Sequence, residues 1–523
     1  MKNPLFGIHK FSSNLFDLFI AIATVNLVCC QNCTPFAVHI SLATYYQNFG
    51  PNQTYSLSSA LNITSFENQT AIVQFQTIDN CTELRMATLI NNTNFTVLDG
   101  LPYIESYVFL QADGEANQTK YIYNYTLTLD TTNVGQLFNY SIVNIDEQNN
   151  YVIMNNFSSR LPVRDLADNV VNYTQKFLFV GMMDISNQSQ NTFTKLQELA
   201  MNASQNQSSV DLIIYLGDMA FSLNDNDYAK GDTFLNSVET FATFIPFMTT
   251  AGDTESYDGF QFYQTMFQMT SNQKNGIFYS FNVGNVHFIQ INMAYFFLAN
   301  STYQKVLLGY LTDDLKIATT TENRMTRPWI FVYGFNSLYC GLAEDTTCEK
   351  LMQTKNLAAF ETLLYLNKVD IFFSSYYPLY QRSKPLYQNK PMKYDNIYVL
   401  DQNQNNYSAI FNPEGVLYIV EGAGGNNLAN PESQTLSENF LISLDTIGYG
   451  LLTLINKTHI FYEHIDSETG LPVDQFYLIN ELLKWNELWT PAQEYWFTVC
   501  SVVFVFMGII VIGIFQIYVD RVM

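Results

Sequence analysis

At 523 residues the chain is too long for one ordinary domain and calls for two domains with terminal appendages. Hydrophobic residues at 48% and aromatic residues at 15% supply packed cores and exclude a disordered chain. Lys and Arg number 24 against 47 Asp and Glu, a net charge of −23 that excludes nucleic acid as a partner and repels phosphate esters unless a metal offsets the field.

At the start, Lys2 and Lys10 precede an apolar run, Leu18 to Val28, which ends at Cys29, Cys30 and Gln31. The run is shorter than the roughly 20 residues a span requires, and Asp17 abuts it. Residues 1–30 therefore read as a cleaved signal peptide rather than a signal anchor. From Ala37 to Pro162 come short alternating runs such as Ile72 to Gln76, Tyr107 to Leu110 and Tyr121 to Leu127, rich in β-branched and aromatic residues. Without helical periodicity between them, residues 33–165 predict a β-sandwich.

At Lys176 the pattern changes to strand–helix alternation. Buried-strand runs occur at Phe177 to Gly181, Asp211 to Asp218, Phe247 to Asp253, Val286 to Asn292, Trp329 to Gly334 and Asp370 to Ser375. Phe193 to Ala203 reads as one of the intervening helices. Residues 174–480 thus predict an α/β layered domain with mostly parallel strands. Val416 to Val420, Tyr449 to Ile455 and His459 to Ile465 add further strands near its end.

Residues 481–494 form a juxtamembrane segment with Trp485 and Trp489. The uncharged run Trp496 to Phe515, at about 1.5 Å per residue, reaches roughly the 30 Å of one bilayer core. A transmembrane helix over 495–519 follows, with a cytoplasmic tail at 520–523. A lipid-anchor signal needs small residues and a polar spacer before the apolar tail, and an uncharged end; Asp520 and Arg521 fit a retained span instead. The expected product is a single-pass type I membrane protein of the secretory pathway, at the cell surface or facing an endomembrane or lysosomal lumen. Acceptor sequons for N-glycans lie at Asn52, Asn62, Asn68, Asn80, Asn94, Asn117, Asn124, Asn139, Asn172, Asn300, Asn406 and Asn456. Cys340 with Cys348, and Cys33 with Cys81, are the candidate disulfides.

Chemistry in an open α/β sheet sits at the carboxyl ends of the strands. Gly217-Asp218 and Gly252-Asp253 stand at two such ends, where carboxylates can share divalent metals and activate water, or can merely open a turn. In order and context these blocks resemble the purple acid phosphatases, within the calcineurin-like metallophosphoesterases. That family shows Gly-Asp-x-Gly, Gly-Asp-x-x-Tyr, Gly-Asn-His-Glu, Val-x-x-His and Gly-His-x-His. The corresponding stretches here begin at Gly181, Gly217, Gly252, Val332 and Ser375, and the resemblance runs from about Val38 to Ile479.

The resemblance implies an α+β architecture: a fibronectin-like N-terminal β-sandwich, then an αββα metallophosphoesterase-type domain, then the transmembrane helix. It also implies lost chemistry. Ligand positions of the family hold Met182, Phe221, Phe335, Tyr376 and Pro378, while Thr254 replaces a histidine of the third block. Asp218 retains the bridging aspartate and Asp253 stands in for an asparagine ligand. No histidine relocates: His39, His287, His459 and His464 sit in strand-like runs away from these turns. The expectation is a pseudophosphatase used in recognition, adhesion or assembly, with apolar replacements filling the former metal pocket. No cofactor is expected. The alternative is a divergent acid phosphatase-type phosphomonoesterase whose Asp218 and Asp253, aided by Asp184 and Glu255, hold one Mg²⁺, Mn²⁺ or Ca²⁺ through oxygen.

Overall fold

The structure is a computed structural model that describes residues 33–42, 68–78, 81, 84–90, 94–97, 103–109, 118–130, 135–146, 151–162, 174–204, 210–225, 228–257, 259–269, 278–297, 301–342, 355–401, 405–425 and 435–481. The expected signal peptide, the expected juxtamembrane segment beyond Glu481 and the run Trp496 to Phe515 lie outside these residues. Among the described helices none is long and apolar enough to cross a membrane.

Two four-stranded antiparallel sheets form the N-terminal part. One has the order Phe36–Leu42, Asn68–Thr77, Gln118–Asp130, Tyr103–Phe109; the other runs Asn94–Val97, Leu84–Ile90, Phe138–Ile145, Tyr151–Ser159. Residues 37–42 and 71–77 are buried throughout, so the first sheet carries continuous rather than alternating burial there. The Tyr125 hydroxyl donates to the Leu84 carbonyl at 2.6 Å and the Cys33–Cys81 disulfide adds a covalent tie. Cys340 is also disulfide-bonded, and its expected partner, Cys348, lies outside the described residues.

The larger part is built on two facing sheets. The first has the order Phe247–Thr249, Leu212–Tyr215, Gln175–Val180, Gly448–Leu454, His459–Asp466, Pro472–Ile479, Asn406–Phe411, Asp395–Leu400. The second runs Phe278–Val283, Val286–Ile291, Trp329–Tyr333, Ile371–Ser374, Leu417–Glu421, Tyr380–Ser383, Phe440–Leu444. Both are mixed, which corrects the expectation of mostly parallel strands. Parallel pairing is confined to Gln175–Val180, Leu212–Tyr215 and Phe247–Thr249 in one sheet, to four central strands of the other, and to one pair near the first sheet's edge. The antiparallel remainder comes from hairpins such as Gly448–Leu454 with His459–Asp466, whose short turn leaves no room for a crossover helix.

Helices Gln190–Ser204 and Ala229–Ala242 cover the parallel end of the first sheet, with Phe193 edge-on to Phe234 and Phe234 edge-on to Tyr215. Helices Ser301–Ala318 and Lys355–Leu366 cover the second through Phe278–Tyr310 and Phe360–Phe372 contacts. Strands covered on both faces become continuous apolar runs, as in Phe177-Leu178-Phe179-Val180, all buried. Between the sheets, Phe179 stacks on Phe373 with centroids 3.8 Å apart.

The N-terminal sheets dock on this body through buried polar contacts. Ser41 Oγ donates to the Gln268 carbonyl at 3.1 Å, Gln74 Nε2 to the Thr265 carbonyl at 2.7 Å and the Tyr140 hydroxyl to the Thr243 carbonyl at 2.7 Å. Lys120 pairs with Asp232 across the same boundary. Backbone carbonyls at helix ends thus find donors from the neighbouring unit.

Phe179→Ala opens a cavity between the two large sheets and is expected to cost about 3–5 kcal/mol by equilibrium denaturation. A loss below about 1 kcal/mol would contradict its place in the inter-sheet core.

Candidate functional site

Parallel strands of both large sheets end at one edge. There the chain turns at Gly181-Met182, Gly217-Asp218, Gly252-Asp253, Gly334-Phe335 and Ser375-Tyr376, and cross-links between the turns bring them together. The Met182 N–H donates to the Gly217 carbonyl at 3.1 Å, the Ser375 N–H to the Phe335 carbonyl at 2.9 Å and the Ser375 hydroxyl to the Leu216 carbonyl at 2.5 Å. Gly217 has φ +94, and a Cβ there would sit 2.7 Å from the Gly252 nitrogen and 2.9 Å from the Phe335 ring. Only glycine fits that approach. Met182, Asp218, Ala220 and Phe221 all have φ between +52 and +56, so four side-chain-bearing residues hold left-handed backbone around these turns.

Asp218 is buried, and its carboxylate is already engaged. Oδ1 accepts from the Thr254 N–H at 3.0 Å and lies 3.1 Å from the Thr254 hydroxyl. Behind it, Glu255 points inward. Its Oε2 accepts from the backbone N–H groups of Asp218 (3.0 Å) and Gly252 (2.6 Å), and Oε1 accepts from that of Met219 (2.8 Å). The Thr254 hydroxyl sits 3.1 Å from Glu255 Oε1 as well, so its single proton serves one carboxyl at a time. Burial, with the Asp218 charge beside it, pushes Glu255 up to about 8, against the pull of its three N–H donors. Burial likewise pushes Asp218 up to about 6, with the Thr254 N–H pulling down and the Asp253 charge pushing up. The carboxyl of Asp253 faces the Asn336 amide at 3.3 Å, and burial raises it too.

Two of the replaced ligand positions fill space as expected. Phe335 is buried against Gly217 and edge-on to Tyr376, centroids 5.8 Å apart, and Met182 is buried at the first turn. Tyr376 and Pro378 are half-buried on the turn after Ser374. Phe221 departs from the expectation: it is 47% exposed, because the left-handed backbone at Ala220 and Phe221 turns its ring outward. Asp184 departs as well, since its carboxylate faces the Lys230 ammonium at 3.5 Å rather than joining Asp218 and Asp253. The part played by Glu255 and Thr254 as a staple for the turns was not expected, although Glu255, with Gly252, is kept unchanged from the third block.

The described histidines are engaged elsewhere. His39 pairs with Gln74, His287 with Asn282 and Asp314, His459 with Thr458 and His464 with Glu421. Among the described residues no three of His, Cys, Asp and Glu form a group that could hold a metal. The donors at these strand ends do not fit a two-metal centre: one carboxylate is spent on Thr254, one points inward, one faces Lys230, and the neighbours are Met and Phe. Of the sequons, Asn406 and Asn456 are exposed. Asn139 is half-buried and accepts from Ser158 Oγ at 2.6 Å. Asn124 is a correction: it is buried within its sheet, which leaves no room for a glycan in the folded chain. Asn52, Asn62, Asn80, Asn117, Asn172 and Asn300 lie outside the described residues, and Asn68 and Asn94 lie on strands.

Facing mixed sheets under two helical layers, with turns gathered at one edge, define a metallophosphoesterase-type fold. A purple acid phosphatase from yellow lupin (Lupinus luteus) has this fold: it superimposes with a TM-score of 0.62 over 86% of this chain and 75% of its own, at 16% identity. Residues 415–475 match the family model described as iron/zinc purple acid phosphatase-like protein C. Acid phosphatase type 7 of Danio rerio is 27% identical over 312 residues, 57% of this chain and 67% of that protein. The Mus musculus protein of the same name is 28% identical over 53% of this chain and 63% of its own length. Probable inactive purple acid phosphatase 27 of Arabidopsis thaliana is 24% identical over 52% of this chain and 44% of its own. The matched segment thus spans about two thirds or less of these relatives. These likenesses support the purple acid phosphatase family, among whose matched members probable inactive ones occur.

Two outcomes follow from the Asp218–Thr254–Glu255 arrangement. Thr254→Val removes the hydroxyl shared by two buried carboxyls and is expected to cost about 1–3 kcal/mol in denaturant unfolding. Both carboxyls have folded values above their unfolded ones, so their contribution is most favourable below about pH 4 and declines as pH rises towards about 8. Glu255→Gln is expected to flatten that part of the stability profile. An unchanged slope would contradict the assignment.

Proposed function

We propose that the chain is a membrane-anchored, glycosylated pseudophosphatase whose family scaffold serves recognition, adhesion or assembly. The observation that carries this reading is the state of Asp218: the one ligand residue kept unchanged is buried and hydrogen-bonded to the residue that replaces the histidine of the third block. A metal entering there competes with Thr254 for Oδ1 and finds Met182 and Phe335 where the family places oxygen and nitrogen donors. Thioether and phenyl groups are poor partners for hard cations. The signal-peptide and apolar C-terminal runs support a type I topology in the secretory pathway, with the body facing a lumen or the cell exterior and Asn406 and Asn456 placed for glycans. The N-terminal sheets are then a fibronectin-like sandwich, and a protein partner is the expected ligand of the scaffold.

The purified full chain is expected to carry no stoichiometric metal. It should hydrolyse p-nitrophenyl phosphate between pH 4 and 8 no faster than Asp218→Ala. Two bound metal ions with turnover above that control would overturn the proposal.

One observation favours a second reading, a divergent metal-dependent phosphoesterase. The Asp253 carboxyl contacts only a neutral amide among the hydrogen bonds described, so an oxygen donor remains at the mouth. That reading predicts that millimolar Mn²⁺ or Mg²⁺ raises the melting temperature and that Asp253→Ala abolishes the rise. No shift would decide for the pseudophosphatase.

A further inference from the structure

Apart from the strand-end turns, the two large sheets are joined by a buried charge network. Glu421 ends a strand of the second sheet and His464 lies on a strand of the first; both side chains are 0% exposed. His464 Nδ1 is 3.1 Å from each carboxylate oxygen of Glu421, and Nε2 is 3.2 Å from the Thr446 carbonyl. Both ring nitrogens therefore face acceptors. A neutral imidazole has one N–H and can satisfy only one of them, whereas the imidazolium satisfies both.

The surroundings fit a charged ring. Tyr380, from the second sheet, stacks flat on the imidazole with centroids 4.2 Å apart, and the Tyr462 hydroxyl donates to Glu421 Oε1 at 2.5 Å. The Tyr380 hydroxyl and the Arg382 guanidinium both bind Asp474, at 2.6 Å and at 2.8 and 3.0 Å, so Arg382 is neutralised across the same gap. The groups facing His464 are thus Glu421, Tyr462, Tyr380 and the Thr446 carbonyl, with Asp474 and Arg382 one layer further.

We propose that Glu421 and His464 form a proton-operated clamp between the two sheets, closed while His464 carries its charge and loosened when the proton leaves. Loss of that proton leaves Glu421 a buried carboxylate without a counter-charge and sets a ring lone pair against an oxygen lone pair. The clamp is tied to the erased site. Thr446 lies in the link between Phe440–Leu444 of one sheet and Gly448–Leu454 of the other, and the Gly448 N–H donates to the Ala423 carbonyl at 2.8 Å. Next along, the Gly424 N–H donates to the Gly181 carbonyl at 3.1 Å, beside Met182. Loosening the clamp therefore frees one wall of the former active-site edge. Burial alone would strip the proton from His464, but the charge and hydrogen bond of Glu421 outweigh it and raise the group above 6.5. The stabilisation is complete below that value and is lost as pH rises through the raised folded value.

The test is thermal unfolding of the purified full chain from pH 5 to 9, wild type beside His464→Gln. The carboxyls of Asp218 and Glu255 affect both proteins alike, so the difference isolates the clamp. The gap in melting temperature is expected to be widest near pH 6 and to close towards pH 9; a constant or absent gap would overturn the proposal. Should His464→Gln fail to fold, hydrogen–deuterium exchange of the wild type decides. Peptides over 459–466 and 417–425, corrected for intrinsic base catalysis, should open roughly tenfold more at pH 9 than at pH 6. Equal protection at both pH values would refute the clamp.

Discussion

A single inward-pointing carboxyl group, that of Glu255, ties together the turns after two adjacent parallel strands. Its oxygens accept from the backbone of Asp218, Met219 and Gly252, groups that would otherwise be buried donors without acceptors at a sharply turned edge. The left-handed backbone at Gly217, Asp218 and Ala220 aims those N–H groups inward, and the carboxyl in turn makes that strained conformation tenable. Asp218 is consequently fixed with its own oxygen on Thr254. Once the histidine of the third block has become Thr254, the retained aspartate has a protein partner in place of a metal.

The apolar replacements complete this arrangement rather than cause it. Phe335 lies over the Gly217–Gly252 contact and meets Tyr376 edge-on, which removes water from the edge and raises the carboxyls of Asp218 and Glu255. Two carboxyls that are hard to ionise together suit an interior held by hydrogen bonds. They suit a two-metal hydrolase poorly, because there the metal charge must be balanced by ionised ligands. The inter-sheet network of Glu421, His464 and Asp474 serves the same scaffold from the other flank.

Much of the architecture was legible because burial on both faces writes continuous apolar strands. Phe177 to Val180, Trp329 to Tyr333 and Ile371 to Ser374 are found within a residue or two of their expected bounds. Strand direction was not legible, since a run such as Gly448 to Leu454 reads alike in parallel and antiparallel pairing. Loss of metal ligands could be read from residue chemistry at Met182, Phe335 and Pro378. The direction of side chains could not: Phe221 faces outward on a left-handed backbone and Asp184 turns to Lys230, neither of which composition encodes. The roles of Glu255 and His464 likewise depend on distant partners, Met219 and Glu421, 36 and 43 residues away in the chain.

The most direct test is an anomalous-scattering map from crystals of the protein soaked in Mn²⁺. The account predicts no peak at coordination distance from Asp218, with its Oδ1 still accepting from Thr254. A manganese peak bridging Asp218 and Asp253, with Thr254 displaced, would contradict it.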